Sequence, residues 1–548
     1  MDWRRASYRR PGWRSTDSRK VLRLIIERGV TSRDLDRHLL WLIACTALQL
    51  SCARSLSRTP APDPSRAAKA SPYPDPPKAT AVIFVSAEIR GYLGPCGCAQ
   101  AMLGGIEKSA FQVREARRSA APVFYFDAGD ALFGSTEMGQ AEIPQQQRKA
   151  QAIAEVLQLM EVQTRAVGEL DNARGLQFRE SLGLPDQEDG THRVFAANGV
   201  QIAVVVARTD GELLNAARQA RRKADFVLAL VHQSLERVQE LATQPELEVD
   251  LLIAGHGEGV FASEENRLVR SRVPIVRLQS KGRSLARIDL YGFRSGSKFE
   301  LLKTLSDAEH EMQTLELRIQ LLKREINVPA ISDRLRTLKE AKLAELIVRR
   351  DQISASGTKP VSGTNAFSVR FIPLESTLPR DRESESIVEG YDRDVGMLNL
   401  AWAQAHGQNC PPAKKGEAAF VGNDSCRTCH AQAFPTWDGS KHAHAYWTLE
   451  ERGKQYDLDC VKCHVTGPDR PGGVCRLDKM EGRKNVGCES CHGPGSLHVH
   501  KPAQGNIIAK PSEPECTSCH NPENSPHFDF ALYLPQILGP GHGARSLH

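Results

Sequence analysis

The residues best placed to do chemistry lie in the last quarter of the chain. Cys-x-x-Cys-His occurs four times there: Cys426-Cys429-His430, Cys460-Cys463-His464, Cys488-Cys491-His492 and Cys516-Cys519-His520. Two thiols three positions apart reach the two vinyl groups of one haem in thioether bonds, and the next imidazole falls beneath the iron. Zinc also takes Cys-x-x-Cys pairs, but it does not require a histidine after each of them. Here every pair has one. The motifs therefore predict four covalent c-type haems, anchored by the eight cysteines, with His430, His464, His492 and His520 as proximal iron ligands. Composition agrees, since ten of 14 cysteines lie between Cys410 and Cys519 and 12 of 17 histidines fall from His406 onward. So short a segment holding four haems has little chain for an ordinary core. The porphyrins must supply the apolar interior and lie close together, which makes electron transfer the natural activity.

Each iron takes a sixth ligand or stays open. Six further histidines follow the first motif, His442, His444, His498, His500, His527 and His542, with the terminal His548 as a weaker seventh. Trp437, Ser440-Lys441-His442-Ala443-His444-Ala445 and Val486-Gly487-Cys488-Glu489-Ser490-Cys491-His492-Gly493-Pro494-Gly495-Ser496-Leu497-His498 carry a resemblance. Over about residues 418–530 the chain resembles the tetrahaem cytochromes typified by the electron acceptor of hydroxylamine oxidation. That resemblance implies His442 and His498 as distal ligands. His500 and His527 are added as distal candidates, and His444 is either a ligand or exposed. His542 and His548 sit in a Gly-rich tail, where disorder is the simpler expectation. One haem of the type member is five-coordinate, so an alternative is a redox enzyme acting on a small nitrogen or sulfur species at an open iron. Full bis-histidine ligation is the default. Cys410 and Cys475 belong to no motif and could pair as a disulfide in an oxidising compartment.

Elements that position this segment come earlier. From Ala81, apolar β-rich runs alternate with helical stretches: AVIFV (81–85), VFYFD (123–127), QIAVVVA (201–207), DFVLALVH (225–232) and DLLIAG (250–255). VPIVRLQ (273–279) and SLARIDLYGF (284–293) follow with tighter turns. Near-continuous apolar runs separated by helices predict strands buried on both faces, hence an α/β layered sandwich over 81–300. Met312, Leu315, Ile319, Leu322 and Ile326 repeat at coiled-coil spacing; Leu335, Leu338, Leu343, Leu346 and Ile353 repeat beyond Asn327-Val328-Pro329. An antiparallel hairpin over 301–355 follows, which either packs on itself or joins two copies into an oligomer. Residues 356–415 read as a connector with one strand (367–374) and a short helix (387–405), ahead of a mostly α, haem-packed domain over 416–548.

The order of motifs over about 81–290 is similar to the 5′-nucleotidase branch of calcineurin-like metallophosphoesterases. That family builds a two-metal site at strand ends, which would activate a water and clamp a phosphate. This chain departs from the pattern. Glu88 and Arg90 stand where Asp-x-His would, and Gly168-Glu169-Leu170-Asp171 replaces Gly-Asn-His-Asp/Glu. Asp130, His232 and His256 survive and could hold one divalent metal. The resemblance thus implies the fold with phosphoester hydrolysis lost, and a working metal-dependent phosphoesterase is the alternative. Cys96 and Cys98 are too close in sequence to bridge each other easily and form a candidate thiol or metal site.

Net charge is +6, and residues 1–38 hold 11 Lys/Arg against 5 Asp/Glu, leaving 61 of each sign beyond them. A neutral body argues against nucleic-acid binding. Leu39–Leu50 is apolar, too short to span a bilayer and suited to a signal peptide. Residues 1–52 read as an export segment with Cys52 and Cys45 as lipidation candidates, and 53–80 as a Pro/Ala-rich tether. The expectation is a bacterial periplasmic or outer-surface, membrane-anchored lipoprotein that relays electrons between other redox proteins.

Overall fold

The computed structural model describes residues 78–95, 103–118, 121–255, 266–292, 294, 296–327, 333–355, 365–407, 409–521, 524–525 and 528–542. They lie in the unit Pro72–His548. Cys45, Cys52, Cys96, Cys98, His256, His527 and His548 fall outside the described residues.

Among the described residues twelve strands form two six-stranded sheets. The strands are β1 (Ala81–Ser86), β2 (Val123–Asp127), β3 (Thr164–Arg165), β4 (Thr191–Ala197), β5 (Val200–Ala207) and β6 (Phe226–Val231). They continue with β7 (Leu251–Ala254), β8 (Arg267–Val269), β9 (Ile275–Arg277), β10 (Ser284–Tyr291), β11 (Glu300–Leu301) and β12 (Ala366–Pro373). The first sheet runs β11-β12-β10-β1-β2-β3 and the second β4-β5-β6-β7-β9-β8. β1 is parallel to β2 and antiparallel to β10, whereas β5, β6, β7 and β9 are mutually parallel.

Period-two alternation builds the layers, because successive side chains of a strand point to opposite faces. In β1, Ala81, Ile83 and Val85 point between the sheets, meeting Val204, Val206, Leu228, Leu230 and Ile253 of the second sheet. Val82 and Phe84 point outward, onto helices α1 (Ile106–Arg117) and α2 (Ile143–Leu159). The outer face of the second sheet is covered by α3 (Asp210–Arg221) and α4 (Leu235–Leu241) through Leu213, Ala217, Val238 and Leu241. A Thr209/Glu212 capping box starts α3.

α5 (Lys303–Ile326) and α6 (Asp333–Ala355) face each other through Leu315, Ile319 and Leu346. Leu338, expected in that seam, is instead 61% exposed.

The boundaries expected for the sandwich and its connector need correcting. Residues 356–415 are not a separate connector, because β12 lies between β10 and β11 with an eight-residue register against β10. The helix after it, α7, runs Arg382–His406 and buries Tyr391 and Val395 in the same outer layer as α2. The α/β sandwich therefore closes only at α7. β3, β4, β8 and β11 were not expected; they are short or half-exposed and lack a continuous apolar run. Cys410 and Cys475 form a disulfide, tying the chain beyond α7 to the haem-motif segment.

Candidate functional site

Beyond the disulfide the chain forms short helices joined by turns. α8 (Asn423–Arg427), α9 (Leu458–His464), α10 (Cys488–His492), α11 (Ser496–His500) and α12 (Glu513–Thr517) carry or flank the Cys-x-x-Cys-His motifs. Each motif spans about one helical turn, so its cysteines and histidine share a face. His430 donates its amide to Cys426 O at 3.0 Å, and His520 does the same to Cys516 O at 2.8 Å. The motifs converge in space: the sulfur of Cys426 meets that of Cys488, and the sulfur of Cys463 meets that of Cys519. A small apolar cluster, with Tyr446, Leu449, Val461, Leu477 and Met480, packs around the second motif. Leu497, Val499, Ile508, Leu532 and Tyr533 are exposed in the protein alone.

The histidines pair across the segment. His430 and His498 have ring centroids 6.2 Å apart, and His442 and His520 stand 6.0 Å apart. Two imidazoles bound trans to one metal at roughly 2 Å per metal–nitrogen bond have centroids about 6 Å apart. The donor set and these two separations fit an iron between each pair. The His442 turn is held by Trp437, whose Nε1 donates to Val486 O at 2.9 Å, and by the Val486 amide, which donates to His442 O at 3.1 Å.

Outer partners set the tautomers. Nδ1 of His464 donates to Ala445 O (2.6 Å), that of His492 to Ile508 O (2.7 Å) and that of His498 to Ala503 O (3.0 Å). His520 Nδ1 bonds Ser525 Oγ at 3.0 Å. A proton held at Nδ1 puts the lone pair on Nε2, and such partners orient metal-bound histidines. Burial also pushes the pKa of His442, His464 and His520 down, which favours the neutral, ligating form.

His500 and His444 are exposed. His542 is the exception to the expectation of a disordered tail. Gly541 packs so closely on the first haem-motif region that a Cβ there would meet Ala433 N at 2.7 Å. His542 follows, half-buried, with its amide donating to Gly539 O (3.0 Å) and a buried Nδ1 that has no hydrogen-bond partner. Burial lowers its pKa, and nearby His492 and His430 lower it further. Glycine richness alone suggests a loose tail; the close approach that the glycines permit is a tertiary property.

At the sandwich end, Glu88, Arg90 and Asp130 all adopt left-handed backbone conformations, uncommon for non-glycine residues. Arg90 pairs with Glu88 at 3.3 Å, and Arg277 approaches Glu88 at 3.8 Å. Asp130 is fully buried and accepts the Leu170 amide at 2.8 Å, while His232 is buried against Ala128 O. Arg165, which the sequence reading missed, is fully buried and pairs with Asp127 (3.3 Å), Asp171 (2.9 Å) and Asp186 (2.9 Å). Among the described residues no group of three or more His, Cys, Asp or Glu is placed to hold a metal ion.

Residues 425–493 match the family of cytochrome c554 and c-prime. A segment of 94 residues is 35% identical to cytochrome c-554 of Nitrosomonas europaea, covering 14% of this chain and 40% of that relative. The chain is similar to a 5′-nucleotidase precursor of Thermus thermophilus, with a TM-score of 0.38 and 11% identity over 68% of each chain. It is likewise similar to a 5′-nucleotidase of Staphylococcus aureus, with a TM-score of 0.39 and 11% identity over 73% of this chain and 71% of that one. Residues 425–493, with three of the four haem motifs, are a cytochrome c554 domain, joined in one chain to a two-sheet α/β sandwich.

Proposed function

We propose that the protein is an exported multihaem c-type cytochrome that relays single electrons between redox partners in the cell envelope. One observation supports this reading: four Cys-x-x-Cys-His turns converge in one small segment, where His430 lies 6.2 Å from His498 and His442 lies 6.0 Å from His520, so that each pair could hold one iron. Bound there, haem supplies reversible one-electron chemistry. The chain's own residues attach it, orient the imidazoles through Nδ1 partners and hold neighbouring motifs in contact. His430 and His498 would hold the first haem, and His520 and His442 the fourth. His542, close to His492 and His430, would be a further ligand for the third haem. Export, with lipid on Cys52 or Cys45, agrees with haem attachment outside the cytoplasm, and cytochromes or reductases are the partners.

The test is the visible spectrum of the mature protein, oxidised and dithionite-reduced, with haem quantified per chain and carbon monoxide then added. Four haems with a sharp reduced α-band support the relay. Haem-free protein from a host competent in cytochrome c maturation would refute it. A carbon monoxide shift of about a quarter of the haem would locate one open iron. The sandwich is assigned a non-hydrolytic role, because Arg90 stands on Glu88 where the phosphoesterase pattern has a metal-binding histidine. Phosphoesters offered with Mn²⁺ should therefore turn over only at background rate.

A further inference from the structure

The polar contacts between the α/β sandwich and the cytochrome segment gather on Lys454–Lys462, around the helix that carries the second haem motif. Gln145, in the first turn of α2, is fully buried. Its Nε2 donates to Asp457 Oδ1 (2.7 Å) and Asp459 Oδ2 (3.0 Å), and its Oε1 accepts the Leu458 amide (3.0 Å) and the side-chain amide of Asn399 on α7. Both donors and both acceptor positions of one amide are thus used. Asn399 also donates to Tyr456 O at 2.8 Å. The next residue of α2, Gln146, donates to Asp459 Oδ1 at 3.0 Å, and one turn along from Gln145, Lys149 pairs with Asp459. Glu142 pairs with Lys462, and Asp392 of α7 with Lys454 at 3.0 Å.

Asp457 caps α9, donating no proton but accepting the Asp459 amide at 3.0 Å, and Asp459 directly precedes Cys460. Ala403 of α7 packs with Val461, between the two cysteines of the motif. The start, the cap and one face of this helix are therefore set by residues outside the cytochrome segment. Two carboxylates stand within one turn of the haem-attachment cysteines, and the sandwich supplies the amides and the ammonium that offset them. Haem potentials respond to nearby charge, hydrogen bonding and burial.

Resting on the relay reading, we propose that Gln145 and Lys149 are positioning residues for the haem at Cys460 and Cys463, so that the α/β sandwich sets the reduction potential of that one haem. Without Lys149 or the Gln145 amide, the Asp457 and Asp459 charges act on the haem less compensated, which favours the ferric form.

The experiment is a spectroelectrochemical titration of full-length holoprotein, comparing wild type with Gln145→Leu and Lys149→Gln. Haem content is measured in each. The expected result is four haems per chain throughout, one of the four one-electron waves moved to lower potential in both variants, and three waves in place. Lys149→Gln retains the buried amide network and provides the test if Gln145→Leu does not fold. Four unmoved waves in folded, fully haem-loaded variants would overturn the inference and leave the relay intact. A shift of all four waves together would overturn it as well, since the effect would then be global. Wild-type protein without haem would instead mark the failure of the relay reading itself.

Discussion

Glu489 Oε2 accepts the backbone amide of Gly422 at 2.6 Å, from the middle of the third haem motif to the turn that starts the first. Its other oxygen accepts the Val421 amide at 2.9 Å and the Gly495 amide at 2.7 Å. Val421 and Gly422 lead into α8 with Cys426, and Gly495 leads into α11 with His498. This buried carboxylate therefore ties the elements that carry His430 and His498 to each other. Glu489→Gln retains one acceptor oxygen and turns an NH₂ group toward a backbone donor. A lost hydrogen bond to a charged acceptor costs about 1.5–3 kcal/mol. The expected outcome is a loss of stability of about 2 kcal/mol in denaturant, with one haem passing to a high-spin, carbon monoxide-binding form. Unaltered low-spin spectra in the variant would show that the His430–His498 spacing does not depend on this carboxylate.

The histidine pairs give a second prediction. His442→Ala, His498→Ala and His542→Ala should each convert one haem of the folded protein to a five-coordinate species, seen as carbon monoxide binding by about a quarter of the reduced haem beyond the wild-type level. His444→Ala and His500→Ala are the controls and should leave the spectrum unchanged. If His542→Ala behaves like His444→Ala, the C-terminal tail is merely packed on the domain.

Much of this was legible from residue types and spacing. Cys-x-x-Cys-His is a contiguous pattern whose chemistry is local, so its four positions could be read directly. The apolar runs of β1, β2, β5, β6 and β10 are likewise local signals of strands with both faces covered. What escaped the sequence is tertiary. β12 reads as an isolated strand until its register against β10 makes it an inner member of the first sheet. Gln145 is an unremarkable helix residue until Asp457, more than three hundred positions away, is seen to close its hydrogen bonds. Arg165 lies in a two-residue strand and carries no motif, yet three aspartates surround it. Pairing of Cys410 with Cys475 depended on a distance that no spacing encodes.

That disulfide closes a loop over a sequence separation of 65. Chain-entropy reasoning assigns such a cross-link about 4 kcal/mol through restriction of the unfolded chain. Cys410→Ser with Cys475→Ser should therefore weaken the cytochrome segment by roughly that amount, read as an earlier loss of the haem Soret band in denaturant. The sandwich transition, followed by far-ultraviolet circular dichroism, should move little. Coincident unfolding of both parts at the wild-type midpoint would show that the interface around Gln145, not the disulfide, holds the segment in place.

The Arg165 cluster predicts a pH dependence whose sign follows from burial. One guanidinium faces three carboxylates, so it stays cationic, and Asp127 relieves the excess negative charge by holding a proton. Asp127 is pushed up to about 6 from an ordinary value of 3.8, chiefly by desolvation, with Arg165 opposing and Asp171 adding to the rise. Between those two values the folded protein binds more protons than the unfolded chain, so stability from this group falls as pH rises from about 4 to about 6 and is level above. The size of the effect is about 3 kcal/mol at 1.36 kcal/mol per pH unit of displacement. Asp127→Asn has no proton to lose. The stability of wild type minus that of Asp127→Asn, measured by denaturant unfolding at a series of pH values, should decline across pH 4–6 and stay flat to pH 8. The Arg165 ion pair and the Ser86 hydroxyl, which donates to Asp127 Oδ1 at 2.7 Å, both favour the charged form. A difference that rises with pH would mean that these two outweigh burial and that Asp127 is ionised at the bottom of the range.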